Sequence, residues 1–233
     1  MCKIKNGLQN DLNNKTSNFS AILEKEIKET FSRKGFVNIN EIERNIFSNN
    51  STSFNNNNFN IINIGVQLDP NFTLQSMITF ASILDSQKKN TKIRFHCAIV
   101  LNFTILDMLK IYSLKKIRED TEFNFYNASR VEKDLYGLNL KGPGAVAKLL
   151  LPQLLSDDIK KLLVIDTGDL IVLRDLTELY NWDMKDYFYV GIPGARNGQR
   201  SLITKQTYKN YINTGSFLIN VTKVKSENIA GDD

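Results

Sequence analysis

The chain contains few of the residues that zinc and thiol chemistry require. Its 233 residues include two cysteines, Cys2 and Cys97, and a single histidine, His96. Two cysteines this far apart exclude a cysteine-bound metal and argue against a disulfide framework. One histidine leaves a histidine-rich zinc site without ligands. The apolar pattern places His96 in mid-strand, which disfavours a Ser-His-Asp triad.

A strong charge excess and a long apolar run are also missing. Thirty basic and 25 acidic residues give a net charge of +5, and the basic residues are spread along the chain, so no nucleic-acid-binding arm is indicated. The most apolar stretch, 97–109, is interrupted by Asn102 and Asp107 and is too short to span a membrane. No secretory signal opens the sequence. We therefore expect a cytoplasmic location by default, with the secretory-pathway lumen as the alternative if an anchor is missing from this chain.

The residue composition and the pattern of apolar residues change near residue 60. Residues 1–59 are rich in Asn, Ser and Lys and predict a polar arm, partly disordered, with one helix over about 21–33. Residues 60–228 alternate apolar strands with amphipathic helices, and 229–233 form a tail. The predicted strands are 61–68, 92–100, 122–126, 161–165, 187–192 and 211–221. The predicted helices begin near residues 72, 105 and 145. This alternation predicts an α/β fold with a mostly parallel sheet and flanking helices.

In such sheets ligands bind at the carboxyl ends of the strands. The strand 161–165 ends in Asp166-Thr167-Gly168-Asp169, and apolar residues follow at once. Carboxylates flanked by buried sequence are costly unless paired, and Mn²⁺ or Mg²⁺ is a suitable partner for carboxylate oxygens. Asp166 and Asp169 are therefore candidate metal ligands. The alternative is an ordinary turn with two exposed carboxylates.

The strand 61–68 is followed by Asp69, Asn71 and Phe72. Asp and Asn can hydrogen-bond a base or a ribose, and an aromatic ring can stack on the base. The alternative is a helix N-cap at Asn71 or Thr73.

Three further residues are candidates for contact with a phosphate or a sugar. Lys148 is a cation in an apolar stretch; it fits either a phosphate contact or a surface lysine. Asn213 and Gly215 open the last strand, where the alternative is a β-bulge or turn.

The order and separation of these segments resemble glycosyltransferase family 8. The segments are Asp69-x-Asn71-Phe72, the helix segment Ala147-Lys148-Leu149-Leu150-Leu151-Pro152, Val164-Ile165-Asp166 and Asn213-Thr214-Gly215. The resemblance covers about residues 61–221. It implies a GT-A (Rossmann-like) fold and retaining, metal-dependent transfer of a hexose from a UDP-sugar to an unknown glycan, lipid or protein. Asp69, Asn71 and Phe72 would hold the uridine, Lys148 would offset phosphate charge, Asn213 and Gly215 would lie at the sugar, and no residue is assigned as catalytic.

Two departures from the family pattern leave alternatives open. The metal motif here is Asp-x-x-Asp, one residue longer than the family's Asp-x-Asp, and a bulge at Gly168 would accommodate the extra residue. The family's later segments, with a metal-binding His, are absent, so the domain is expected to be C-terminally incomplete. The first alternative is a non-catalytic nucleotide-sugar-binding relic or an inactive fragment. The second is a phosphatase of the haloacid dehalogenase type with Asp166 as nucleophile.

Overall fold

A mixed seven-stranded sheet forms the centre of the part of the chain that the structure describes. The structure is a computed structural model and describes residues 20–47, 60–99, 103–128, 147–193 and 212–227. The strands are β1 (Phe36–Asn38), β2 (Asn60–Leu68), β3 (Thr91–Ile99), β4 (Glu122–Asn127), β5 (Lys161–Ile165), β6 (Tyr189–Pro193) and β7 (Ile212–Asn220). Their order across the sheet is β1-β4-β3-β2-β5-β7-β6.

The middle of the sheet is parallel. Strands β4, β3, β2 and β5 run in one direction, while β1 and β7 are antiparallel to their neighbours at the two sides. The alternation of strands and helices thus gives the mostly parallel α/β sheet that the sequence predicts. Because the carboxyl ends of β2 and β5 are neighbours, the segments that follow these two strands lie at one edge of the sheet.

Helices cover both faces of the sheet. They are α1 (20–34), α2 (Ile39–Phe47), α3 (Thr73–Ser86), α4 (Ile105–Tyr112), α5 (Leu151–Leu154), α6 (Thr177–Tyr180) and α7 (Val221–Ser226), with 3-10 turns at Pro70–Phe72 and Ser113–Lys116. Among these described segments, no helix is both long and apolar enough to cross a membrane.

Two apolar clusters, one on each face, hold the layers together. On one face Phe80 of α3 packs against Phe95 and Phe123, whose rings stack at 5.2 Å between centroids. On the other face Leu151, Leu162 and residues of α7 form the second cluster. Burial on both faces explains the apolar stretches of β2 and the apolar end of β3, Cys97–Ile99, whereas Lys92 and Arg94 near the start of β3 pair with Glu122.

The helix predicted from residue 145 to 155 is wrong in its extent. Ala147 is helical, but Lys148 to Leu150 form a turn, and a separate short helix covers Leu151–Leu154, with Pro152 in its first turn. Proline has no N–H and its ring clashes with the carbonyl four residues earlier, so it fits the first turn of a helix better than the interior of one. Residues 145 and 146 lie outside the described residues.

Residues 1–59 contain more structure than the single predicted helix. That helix is present as α1, but the sheet also gains β1, which pairs with β4, and α2 follows it. Val37, Ile39 and Ile42 are buried in the same core as the central strands. The Asn run at 55–58 and the tail 229–233 lie outside the described residues, and the predicted domain boundaries stay predictions.

Candidate functional site

The turn after β5 carries both candidate metal ligands. Asp166 follows the last residue of β5, and its backbone N–H donates to the carbonyl of Gly215 on the neighbouring strand β7 at 2.8 Å. The Asp166 side chain is about one-third exposed, whereas Asp169 is exposed and makes no hydrogen bond within the described residues. The two carboxylates thus occupy one turn, one held at the sheet and one open to solvent.

Hydroxyl groups fix the backbone of this turn. The Thr167 hydroxyl donates to the carbonyl of Gln67 at 3.0 Å and so ties the turn to the end of β2. The Thr79 hydroxyl of α3 accepts from the Gly168 N–H at 3.1 Å and donates to the Leu170 carbonyl at 2.8 Å. Because both sides of the turn are bonded to neighbouring elements, the backbone that carries its two carboxylates is fixed before any ligand arrives.

Gly168, between the two carboxylates of the Asp-x-x-Asp motif, adopts a left-handed backbone. Its φ is +98°, and a Cβ added there would lie 3.3 Å from the Cβ of Gln75 on α3. A side chain at this position is therefore strained and crowded. That a bulge at Gly168 accommodates an extra residue of the motif stays a prediction.

Lys148 bonds directly to the turn, and it is buried. Only 4% of the residue is exposed, and its Nζ bonds an Asp166 carboxylate oxygen and donates to the Thr214 carbonyl at 2.7 Å. A buried ammonium group requires such a partner, because an unpaired charge in this environment is expensive. Lys148 is thus not the solvent-exposed lysine of the alternative interpretation; it is the counterion of Asp166.

The start of β7 completes this side of the site. The Asn213 carboxamide oxygen accepts from the Gly215 N–H at 2.8 Å, and Asn213 itself is exposed. A Cβ at Gly215 would lie 3.7 Å from the free oxygen of Asp166 and 3.1 Å from the Asn213 oxygen. Glycine here leaves open the space between the two side chains. The structure therefore brings Lys148, Asp166, Asn213 and Gly215 together.

The segment after β2 lies at the same edge of the sheet. Asp69 caps the 3-10 turn by accepting from the Asn71 N–H at 2.8 Å, so the capping residue is neither Asn71 nor Thr73. Asn71 is exposed, and 53% of Phe72 is exposed. The capping role restrains one oxygen of Asp69 and leaves the side chains of Asn71 and Phe72 open to a ligand.

His96 takes no part in this site. It lies in mid-strand on β3, as predicted, and its ring bonds the Tyr126 hydroxyl at 3.0 Å and the Asn63 carboxamide oxygen at 3.1 Å. Burial, with a smaller contribution from Arg94, lowers the pKa of His96 to about 3. The imidazole is therefore neutral at physiological pH, and its pKa lies far below the value that a general base requires.

Sequence reasoning missed the residues that hold the turn. Ser76, Thr79 and Ser82 lie three residues apart on α3, and all three hydroxyls bond to the 167–172 segment. A row of small hydroxyl residues on one face of an otherwise apolar helix was the available signal. Within the described residues, no three acidic, His or Cys side chains cluster as a metal site.

One comparison with known proteins identifies a family. The profile of Glycosyl transferase family 8 matches residues 63–232. No curated protein sequence matches the chain significantly.

The fold is similar to solved glycosyltransferase structures. The galactosyltransferase LgtC in complex with donor and acceptor sugar analogues is 22% identical, with a TM-score of 0.59 over 71% of this chain and 60% of that one. The bifunctional glycosyltransferase WbbM, in its apo form, is 15% identical, with a TM-score of 0.60 over 77% of this chain and 34% of that one. Mouse xyloside xylosyltransferase 1, also apo, is 11% identical, with a TM-score of 0.51 over 72% of this chain and 70% of that one. The match thus spans less than two thirds of LgtC and of WbbM, and it supports the GT-A fold.

Proposed function

The chain belongs to glycosyltransferase family 8, and from that premise we propose that it transfers a hexose from a UDP-sugar to an acceptor, with retention of anomeric configuration. The observation that carries the proposal is the cation-binding carboxylate at the end of β5. Asp166 already holds the Lys148 ammonium group there, beside the open Asp169 and Asn213. This is the chemistry that a diphosphate-bearing donor needs at the carboxyl edge of a parallel sheet.

The uridine would lie against the segment after β2. Phe72 offers an exposed ring for stacking, and Asn71 offers an amide donor and acceptor for the base or the ribose. Asp69 keeps one carboxylate oxygen for a ribose hydroxyl while the other caps the turn. Because β2 and β5 are adjacent and parallel, a nucleotide held here would direct its phosphates toward Asp166.

The donor set at Asp166 and Asp169 fits a hard divalent cation in its chemistry. Both residues supply carboxylate oxygens, and Asp166 already binds one cation, the Lys148 ammonium group. Two carboxylates are sufficient when substrate phosphates and water provide the remaining ligands, as is usual for Mg²⁺. Mn²⁺ or Mg²⁺ held there would neutralise the negative charge on the departing diphosphate.

Lys148 and Asn213 would act on the donor directly. Lys148 is a fixed positive charge that offsets the phosphates, and its bond to the Thr214 carbonyl also fixes the start of β7. Asn213 would hydrogen-bond a sugar hydroxyl, and the missing Cβ at Gly215 would leave room for the sugar ring. We assign no catalytic residue among these.

Calorimetric titration of UDP tests the proposal. We expect UDP to bind in the presence of Mn²⁺ and to lose most of its affinity in EDTA. Asp169→Asn should weaken the Mn²⁺-dependent part on the order of tenfold, as one lost charge-assisted ligand predicts. Asp85→Asn, an exposed carboxylate on α3, is the matched control and should bind as wild type does. Equal UDP affinity with Mn²⁺ and with EDTA, unchanged by Asp169→Asn, would refute the metal assignment.

A nucleotide-sugar-binding protein without turnover is the second candidate. The observation that favours it is the engagement of Asp166 by Lys148, which leaves Asp169 as the only uncommitted carboxylate of the turn. Incubation with UDP-hexoses and Mn²⁺ separates the two candidates. Release of UDP indicates an enzyme, and saturable UDP binding without release indicates a binding protein. Membership of family 8 leaves no support for the phosphatase alternative.

A further inference from the structure

An open cavity of about 420 Å³ lies at the opposite edge of the sheet from Asp166. It is formed by the start of β5, the loop after α6 and the end of β7, where Lys161 and Asn220 are paired across the sheet. The five residues of β5 separate this cavity from the candidate donor site, a distance of roughly 15 Å. It is therefore a separate site.

Trp182 lines this cavity and is 59% exposed. It is the only tryptophan of the chain. Tryptophan is highly buried on average, and leaving its indole in water forgoes much of the free energy that burial would contribute. An exposed indole at the wall of a cavity is thus a feature that requires a reason.

The loop that carries Trp182 is held firmly. The Lys161 ammonium group donates to the Trp182 carbonyl at 2.8 Å and to the Tyr180 carbonyl at 3.1 Å. Two residues further on, Met184 is buried in the core, and the Lys185 N–H donates to the Asp183 carboxylate at 2.9 Å. The indole is therefore presented by a fixed backbone, which lowers the entropic cost of binding a ligand.

Uncommitted polar groups surround the indole. Among the described residues, the side chains of Asn181, Thr222 and Lys185 make no hydrogen bond, although all three line the cavity. They offer an amide, a hydroxyl and an ammonium group. Lys160 and Lys161 also line the cavity, but their ammonium groups already donate to backbone carbonyls. The charge of Lys185 is offset by that of Asp183, two residues earlier. The cavity therefore combines one flat apolar surface with an amide and a hydroxyl that are free to bond a ligand.

We propose that this cavity, defined by Trp182, Asn181, Thr222 and Lys185, binds a neutral oligosaccharide at a site separate from the donor site. A pyranose ring has a face of C–H groups that packs on an aromatic ring and an edge of hydroxyls that bonds amides and hydroxyls. The volume falls within the range of small-ligand pockets. The choice of a saccharide among polar ligands rests on the proposed function. If the acceptor is a glycan of several residues, the part of it that lies beyond the reacting end would extend to the cavity at Trp182.

Intrinsic fluorescence tests the proposal, since Trp182 is the only tryptophan. Maltopentaose and cellopentaose are the neutral probes, and trigalacturonate is the acidic one. We expect a saturable change in emission with a neutral probe. Saturation-transfer NMR should then show binding weakened on the order of tenfold in Trp182→Ala and unchanged in Tyr187→Ala, an aromatic residue 66% exposed outside the cavity lining.

Three outcomes would overturn the proposal. One is no saturable change with either neutral probe. Another is binding of trigalacturonate alone. The third is a change of oligomeric state in Trp182→Ala, seen by sedimentation, which would identify the surface as a protein interface. UDP titration of the same variants distinguishes this failure from that of the proposed function, because Trp182→Ala should leave UDP binding intact.

Discussion

The single histidine gives the sharpest test of the packing. The Tyr126 hydroxyl donates to His96 Nδ1, His96 Nε2 donates to the Asn63 carboxamide oxygen, and the Asn63 amide donates to the Tyr180 hydroxyl at 3.0 Å. The Tyr180 hydroxyl in turn donates to the Lys161 carbonyl at 3.0 Å. Every group in this series of hydrogen bonds has its partner only if the imidazole is neutral. A proton on His96 Nδ1 would face the proton of the Tyr126 hydroxyl, and the hydrogen bond between them would be lost.

Protonation of His96 should therefore destabilise the folded protein. The unfolded chain has its pKa at 6.5 and the folded chain at about 3. Between these two pKa values the unfolded state binds more protons than the folded state. The free energy of unfolding therefore has its highest value above about pH 6.5 and falls as pH decreases below it. At about pH 5, which is one and a half units below the unfolded pKa, the free energy of unfolding should be about 2 kcal/mol lower than at neutral pH.

Urea denaturation at about pH 7.5 and about pH 5 measures this loss. His96→Gln is the control, since glutamine offers a donor and an acceptor but does not titrate; its stability should change little over the same interval. Carboxylates with lowered pKa, such as Glu122, keep their stabilising contribution above their unfolded pKa near 4.5 and lose it only as pH falls below that value, so they leave the window clear. An imidazole NMR signal that titrates near pH 6.5 in the folded protein, or a wild type as insensitive to pH as His96→Gln, would refute the reasoning.

Three further predictions concern the strand ends and the sheet. In Gly65→Ala the new Cβ would lie 2.6 Å from Leu162 Cδ2, so we expect a loss of about 1–3 kcal/mol from overpacking, measured by urea denaturation. Gly168→Ala forces a side chain into a left-handed backbone and should cost about 1–3 kcal/mol in the same assay; wild-type stability would contradict the turn geometry. Lys148→Met frees Asp166 from its counterion and should raise Mn²⁺ affinity without nucleotide, followed by the paramagnetic resonance of free Mn²⁺; weaker Mn²⁺ binding would show that the lysine supports the metal site.

The parts of the fold that sequence predicts are those with strong local signals. Strand β5 is a nearly continuous apolar run, and β2 and β3 each contain apolar stretches, because helices cover both faces of the sheet; such buried stretches are recognisable in the sequence without knowledge of their partners. The three-residue β1 is too short to carry a periodic pattern. The helix after it has Ile39, Ile42 and Ile46 at helical spacing, and this signal was available.

The candidate site also contains some residues that the local sequence indicates and others that it does not. Asp166 and Asp169 are found from sequence because a buried strand ends in carboxylates. The partner of Asp166 is not, since Lys148 is 18 residues away and reaches it only through the turn before α5. The same turn interrupts the helix that the sequence predicts from about residue 145, and Pro152 lies in the first turn of the short helix that follows it.

Counting bound Mn²⁺ by paramagnetic resonance, with and without UDP, tests the central claim most directly. If the end of β5 is the donor site, wild type should bind about one Mn²⁺ in the presence of UDP, and Asp166→Asn, which keeps an oxygen acceptor for Lys148, should bind none. A full equivalent of Mn²⁺ bound by Asp166→Asn, or UDP bound equally well in EDTA, would contradict the account.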